Sequence, residues 1–506
     1  MDSKTVCNIR HLLQQLLSSM KLLQRTVQKA QHICRISRQL SNQEKSAPLR
    51  LLTSPVHNQP SKYVSVTEAI SLIHSDSNIF VHGTPSSPNV LLNEVCQQVK
   101  SGRLDRLRFN HILLTGELPW VNPEFHGKIR SNCLFICDAL RNSVNEGFAD
   151  YTPVFLSEIP SLFTTTRLPV DVALCTVTPP NKNGYCSLGV DITCAYDALK
   201  AARKIIGNFV LPSKNFLAVV TKKLPFTYGD TLIHESHFDA MVRDDQQDIF
   251  TINPLELKVN EKEAAIGKTI AENLVDNEAT LQLGIGAIPD SALSAMKGHK
   301  NLGIHTEMMG DGVIELIKLG VVNNSCKSLH KGKVVTSFAV GTRDLYDFVD
   351  GNPVFEFRSC AYTNDVQIIR KQHKMTGINS AIEVDLTGQV SSDSIGTKFY
   401  SGFGGQVDFI YGTSVADDRD GKAIIAITSR TPKGESKIVP LLHEGAGVVT
   451  TRGHVRYVVT EYGIAELWGK TVRQRAYELI RIAHPDCRES LEKAAFARFK
   501  CMPAKN

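Results

Sequence analysis

The residue that most invites a chemical reading is Glu307, in the stretch "NLGIHTEMMGDG" (Asn301–Gly312). There a short apolar run leads straight into a carboxylate and then a glycine-containing turn. Glu307 is either an ordinary strand-end acid meeting solvent or a carboxylate placed to react as a nucleophile. His305 precedes it by two positions, and on a strand the two share one face. A metal would need further ligands, and none accompany them. Two glycine-rich stretches could receive a ligand. In "LQLGIGAIPDSAL" (Leu281–Leu293), Gly284 and Gly286 let backbone N–H groups approach a phosphate, carbonyl or oxyanion at a helix start. A merely structural tight turn is the equal alternative, and Pro289 stands where a dinucleotide-binding fingerprint needs its third glycine. In "YSGFGGQVDFIYG" (Tyr400–Gly412), Gly402, Gly404 and Gly405 leave a loop stripped of side chains between aromatic anchors. The run that follows, "VDFIYG", reads as a strand. There is no P-loop and no GxSxG elbow, so nucleotide hydrolysis and serine hydrolase chemistry are unsupported. His484 reads as a helix-end residue.

These residues need a scaffold, and the chain alternates strand-like runs with helical patterns. "NIFVHG" precedes "NVLLNEVCQQVKSG", "TLQLGIG" precedes "SALSAMKG", "NLGIHTE" precedes "DGVIELIKLG", and "KVVTSFAVG" precedes "TRDLYDFVDG". Continuous apolar strands interleaved with helices predict an α/β fold with buried, mainly parallel sheets. Glu307 then falls at the strand end where α/β proteins bind ligands. The halves also echo each other. Phe80–Val95 can be laid on Leu281–Met296, so that Gly83 meets Gly284, Pro88 meets Pro289 and Leu92 meets Leu293. "NGYCSLG" (Asn183–Gly189) meets "TGQVSSDSIG" (Thr387–Gly396) at almost the same offset, which predicts a duplicated α/β domain.

With 506 residues, 42% hydrophobic and 21% charged, the chain has room for two ordinary globular domains. The net charge of +6 is confined to the leader. Residues 1–40 carry seven Lys or Arg and one acid, leaving the rest balanced at 50 basic and 50 acidic residues. A neutral body argues against nucleic-acid binding. No apolar run is long enough to cross a bilayer. The leader is acid-poor, with Leu and Ile spaced among single basic residues, and matches a mitochondrial transit peptide ending near Leu40. Residues 41–61 read as a linker, 62–252 as a first α/β domain and 253–500 as a second. Twelve dispersed cysteines without a CxxC pair suit buried thiols in a reducing compartment.

Six segments in order, "LQLGIGAIPD", "LGIHTEMMGDG", "GFGGQVDFI", "SKIVPLL", "VVTEYGIAELWGKTVRQRA" and "LIRIAHPD", resemble the acetyl-CoA hydrolase/4-hydroxybutyrate CoA-transferase family of class I CoA-transferases. The resemblance spans roughly residues 60–500. It implies two tandem similar open α/β domains with the active site between them, and makes Glu307 the nucleophile that carries a glutamyl-CoA thioester. Gly284, Ile285, Gly286, Ala287 and Ile288, with Gly402, Gly404, Gly405 and Gln406, would line the CoA and acyl site. The N–H groups of Gly404 and Gly405 would stabilise oxyanions, and Lys437 would meet a CoA phosphate or stand as a surface lysine. The implied function is a mitochondrial matrix CoA-transferase of short-chain acyl groups, with acetyl-CoA and succinate favoured. The alternatives are 4-hydroxybutyrate transfer and acetyl-CoA hydrolysis. No metal or redox cofactor is implied beyond coenzyme A as substrate, and the partners are acyl-CoA, short-chain carboxylates and a second copy of the chain. A catalytically silent CoA-binding protein is the reading from another class, and the presence of Glu307 counts against it.

Overall fold

A computed structural model describes residues 49–57, 62–202, 215–245, 248–253, 259–284 and 286–506. The leader and Ile285 lie outside these. Two large sheets dominate. The first contains β1 (Asn78–Val81), β2 (Leu107–His111), β3 (Ile129–Cys133), β4 (Asp150–Tyr151), β5 (Val172–Val177), β6 (Asn215–Val220) and β7 (Ala240–Arg243). Their spatial order is β4-β3-β2-β1-β5-β6-β7, and every pair is parallel.

The second sheet contains β8 (Thr280–Leu283), β9 (Gly303–Met309), β10 (Val334–Ala339), β11 (Phe355–Phe357), β12 (Thr376–Ser380), β13 (Lys422–Ala426), β14 (Tyr457–Thr460) and β15 (Gly463–Glu466). Its order is β11-β10-β9-β8-β12-β13-β14-β15, with only the final pair antiparallel. Apart from β15, the second sheet repeats the connectivity of the first strand for strand. The segments that match in sequence, around Phe80 and Leu281, form the initiating strands β1 and β8 of the two sheets. Both sheets are covered on both faces, which is why strands such as β5 ("VALCTV") and β10 ("VVTSFA") are buried at every position and show no polar alternation.

Some helices start where a side chain takes up orphan N–H groups. Helix Glu261–Leu274 opens the second half with a capping box between Asn260 and Glu263, and buries Ile266, Ile270, Ala271 and Leu274 at helical spacing. Helix Gly312–Lys318 begins as expected after Asp311. One expectation fails. The run after the Gly402–Gly405 loop is not a strand but helix Gln406–Ser414. Its buried Phe409, Ile410 and Thr413 fit one helical face, and a short apolar run does not distinguish the two periods. The place beside β12 is taken by β13 instead. His484 caps the last helix, Pro485–Phe499, by accepting from the Asp486 N–H. Among the described residues no helix is long and apolar enough to cross a membrane.

Candidate active site

Both sheets reverse their winding at the first strand. In the second sheet β8 has β9 on one side and β12 on the other, and the crevice above such a switch point is where open α/β sheets take ligands. Glu307 lies near the carboxyl end of β9, beside the continuation of β8. The junction is fixed by Thr306 Oγ1, which donates to the Leu283 carbonyl at 2.8 Å. A cleft of about 380 Å³ opens here, walled by Gln282, Leu283 and Gly284 from β8 and its exit, Ile378–Ile382 from β12, and Tyr400–Gln406. Glu307 is the one ionisable acid or base among its described lining residues apart from the Tyr400 phenol.

The carboxylate of Glu307 is held by one side chain and approached by a backbone. Asn364 Nδ2 donates to its Oε2 at 2.9 Å, and the Gly405 backbone N–H lies close enough to lower its pKa. Asn364 is fully buried and its amide cannot turn freely. Thr363 Oγ1 donates to Asn364 Oδ1 at 2.9 Å, and Ser337 from β10 is bonded to Thr363 Oγ1 in turn. His305 supports the same turn from below, with Nε2 against the Thr363 carbonyl at 2.9 Å and Nδ1 against Gln372. Its ring pKa is driven down to about 3, chiefly by burial. His305 is thus occupied in holding the Asn364-bearing turn.

Burial pushes the Glu307 carboxyl up to about 7; the nearby Asp408 charge adds to this, while Asn364 and the Gly405 N–H oppose it. Asp408, on helix Gln406–Ser414, is raised to about 6 by burial, although Ser157 Oγ donates to it at 2.8 Å. Two carboxylates therefore flank Asn364 in a poorly solvated place.

The glycines explain how the loop comes so close. A Cβ on Gly405 would lie 2.0 Å from Glu307 Oε2 and 2.1 Å from Asn364 Nδ2, so no side chain fits there. Gly404 has φ +52°, in the left-handed region that glycine adopts without penalty. The loop is pinned by the first half of the chain. The Leu156 N–H donates to the Gly404 carbonyl, Arg141 Nε donates to the Tyr400 carbonyl at 2.7 Å while stacking over its ring, and Asn145 exchanges two hydrogen bonds with the Phe399 backbone. Phe135, just past β3, lines the cleft and lies under Gly402 and Gly404.

Gly284, Glu307, Gly402, Gly404, Gly405 and Gln406 thus converge on one cleft. Gly286, Ala287 and Ile288 begin helix Ala287–Ala295 just beyond it, and Ile288 packs against the core rather than into the cleft wall. Lys437 does not line the cleft; it is half-buried near Glu263 and Glu461, and burial lowers its pKa. Sequence reasoning missed Asn364, Asp408 and Phe135. Asp408 was at least inside the quoted glycine-loop segment, whereas Asn364 sits in an unremarkable four-residue helical turn, Cys360–Thr363, and its C-cap.

Residues 56–252 match the acetyl-CoA hydrolase/transferase N-terminal domain and residues 341–495 the C-terminal domain of the same family. The chain belongs to the acetyl-CoA hydrolase/transferase family. It is 49% identical over 437 residues to a succinyl-CoA:acetate/propanoyl-CoA:succinate CoA transferase of Fasciola hepatica, covering 86% of this chain and 88% of that one. It is 45% identical to a 4-hydroxybutyrate coenzyme A transferase of Clostridium kluyveri, covering 87% and 98%. The solved 4-hydroxybutyrate CoA-transferase of Porphyromonas gingivalis superposes with a TM-score of 0.72 at 35% identity, again over 87% and 98% of the chains. The family's match to both halves agrees with the α/β fold described above.

Proposed function

We propose that this family member is a CoA-transferase that moves CoA from a short-chain acyl-CoA to a carboxylic acid through a covalent intermediate on Glu307. The observation that carries the proposal is the setting of Glu307: an open cleft on one side, a hydrogen bond from Asn364 on its carboxylate, and the Gly405 N–H beside it. The carboxylate attacks the thioester carbonyl, forming an acyl-glutamyl anhydride and releasing CoA thiolate. The thiolate adds to the glutamyl carbonyl, the first acid leaves as its carboxylate, and a glutamyl-CoA thioester remains. An incoming carboxylate attacks that thioester, regenerating an anhydride and thiolate. Attack of the thiolate on the new acyl carbonyl then forms the second acyl-CoA and frees Glu307.

In the two steps at the glutamyl carbonyl, negative charge develops on the Glu307 oxygen itself. Asn364 and the Gly405 N–H are the donors for that charge, and they need no rearrangement to act. A pKa near 7 leaves Glu307 ionised and nucleophilic at mildly alkaline pH, as in a respiring mitochondrial matrix, and makes its carboxylate a better nucleophile than an ordinary surface acid. We take acetyl-CoA and succinate as the favoured pair, 4-hydroxybutyrate as the next candidate acid, a homodimer as the assembly, and the matrix as the site of action, supported by the basic, acid-poor residues 1–40. Lys437 remains a candidate for a CoA phosphate.

The test is borohydride reduction after addition of acyl-CoA in the absence of an acceptor acid. Conversion of the Glu307 carboxyl to an alcohol, read as a mass change in its peptide, is the expected result. A folded, CoA-binding protein that yields no reduced Glu307 overturns the covalent mechanism. A panel of acids then assigns the acceptor, and free CoA released faster than any transfer would make water the acceptor instead.

A further inference from the structure

Asp408 is a buried carboxylate for which the steps at Glu307 have no direct use. It lies in the first turn of helix Gln406–Ser414 and is 5% exposed. Its hydrogen bonds come from the first half of the chain. Ser157 Oγ donates to its Oδ1 at 2.8 Å, and the Ser157 N–H donates to its Oδ2 at 3.2 Å. Asn364, the donor to Glu307, also lies close enough to Asp408 to lower its pKa. The two carboxylates thus share one amide as a neighbour. Asp408 acts on Glu307, the exposed Glu158 acts on Asp408, and no cation among the described residues acts on either. The other titratable groups beside Glu307 are the Cys360 thiol, kept protonated by burial, the neutral His305 ring, and the Tyr400 phenol in the cleft wall.

Two poorly solvated carboxylates without a counter-charge destabilise each other whenever both are ionised. The size of that repulsion depends on the chemical state of Glu307. As a carboxylate, Glu307 adds a second negative charge beside Asp408. As an acyl anhydride or a thioester it is neutral, and the repulsion is gone. Asp408 therefore raises the free energy of the resting, ionised enzyme and leaves that of the covalent states unchanged. A thioester is costly to form from a carboxylate, so a less stable carboxylate shifts the exchange toward the intermediate. The two donors of Ser157 serve the same end, because they favour the charged form of Asp408 against its burial.

We propose that Asp408 is a positioning residue whose charge, acting through Glu307, shifts the exchange of CoA between acyl-CoA and Glu307 toward the glutamyl-CoA thioester. The inference rests on the covalent reading above. In the exchange, Glu307 carboxylate and acyl-CoA give the glutamyl-CoA thioester and the free acid as its carboxylate. Wild type and Asp408→Asn are each equilibrated with an acyl-CoA and its own acid at a fixed ratio. Intact-protein mass then reads the ratio of CoA-bearing to free protein. Asparagine keeps the size of the side chain and a hydrogen-bonding group for Ser157, and removes the charge. Near pH 8 the ratio should fall about tenfold in Asp408→Asn. The difference should fade near pH 5, because Asp408, raised to about 6 by burial, carries its proton there in the wild type. The acid limb of the kcat/KM–pH profile should also move to lower pH, since the like charge that raises Glu307 is gone. Ser157→Ala removes a hydrogen bond but keeps the carboxylate, and near pH 8 its ratio should stay close to that of the wild type. Equal ratios in wild type and Asp408→Asn overturn the proposal, as does a fall in Ser157→Ala as large as that in Asp408→Asn. A wild-type protein that forms no CoA adduct overturns the covalent reading and this inference with it, whereas an adduct insensitive to Asp408→Asn removes this inference alone. Urea denaturation near pH 8 reads the repulsion without turnover: Glu307→Gln should raise the midpoint less in an Asp408→Asn background than in the wild type, and an equal rise in both also refutes the proposal. Should Asp408→Asn fail to fold, Asp408→Ala carries the same comparisons, because Ser157 is partly exposed and water can take up its donors.

Discussion

Replacing Glu307 with Gln should stabilise the protein at alkaline pH while removing its turnover. The Glu307 carboxyl has a folded-state pKa of about 7 against an ordinary value of 4.5, with burial as the main cause. Between those two values the folded chain holds a proton more tightly than the unfolded chain. The stabilisation from this proton is fully present below about pH 4.5 and is lost as pH rises through 7. The gap between the two values corresponds to roughly 3 kcal/mol. Water in the cleft screens one side of the carboxylate, which reduces the expected cost of ionising it to about 1–2 kcal/mol. Glutamine keeps an oxygen for Asn364 and Gly405, carries no charge at any pH, and relieves the repulsion on Asp408. Urea denaturation should therefore find Glu307→Gln more stable than wild type by about 1–2 kcal/mol near pH 8, with the advantage shrinking toward zero or reversing near pH 5. A stability difference that is the same at both pH values, or a variant that is less stable near pH 8, refutes the assignment of a desolvated, strained carboxylate at this position.

Three further outcomes follow from the same geometry. Asn364→Ala should lower kcat by about 10²- to 10³-fold, the usual cost of losing one oxyanion donor, and should move the acid limb of the kcat/KM–pH profile above its wild-type position near 7, because Asn364 holds the Glu307 pKa down. Gly405→Ala should leave a folded protein by circular dichroism but remove transfer activity, since its Cβ would need the space 2.0 Å from Glu307 Oε2. Phe135→Ala should widen the cleft beneath Gly402 and Gly404 and shift the kcat/KM ranking toward longer acyl-CoA substrates, measured with an acetyl to hexanoyl series.

Much of this arrangement is legible in the sequence. Strands buried on both faces announce themselves as continuous apolar runs, so the α/β class and the repeat around Phe80 and Leu281 are visible before any coordinates. Glu307 and the loop glycines are singled out as well, but by themselves they leave a strand-end acid open as an alternative, and it is the family resemblance that joins them in one site. What the sequence conceals is whatever depends on distant segments meeting. Asn364 is marked by no local pattern, and its importance comes from Ser337, Thr363 and His305 turning its amide toward a strand 57 positions earlier in the chain. Phe135 reads as one more apolar residue of a strand that in fact ends at Cys133. "VDFIYG" was misread because a six-residue apolar run fits either period, and only the tertiary context selects the helix.

The duplication also explains why one nucleophile suffices. Carried one step past their observed pairs, the registers place His111 beside Val81 as they place His305 beside Gln282, and both imidazoles are buried and held neutral, with pKa values of about 4 and about 3. The shared histidine therefore belongs to the fold, and chemistry enters only two positions later, where Leu113 in one half answers to Glu307 in the other. The first half is not idle. Arg141, Asn145, Leu156 and Phe135 are the contacts that hold the glycine loop over Glu307. An open loop with three glycines has too much conformational freedom to keep a backbone N–H on a carboxylate by itself. Clamping it from the other α/β layer removes that freedom before substrate arrives, so the binding energy of CoA need not be spent on ordering the donors. A single half could supply the carboxylate or the clamp but not both, so the mechanism proposed above requires its active site to lie where the two halves meet.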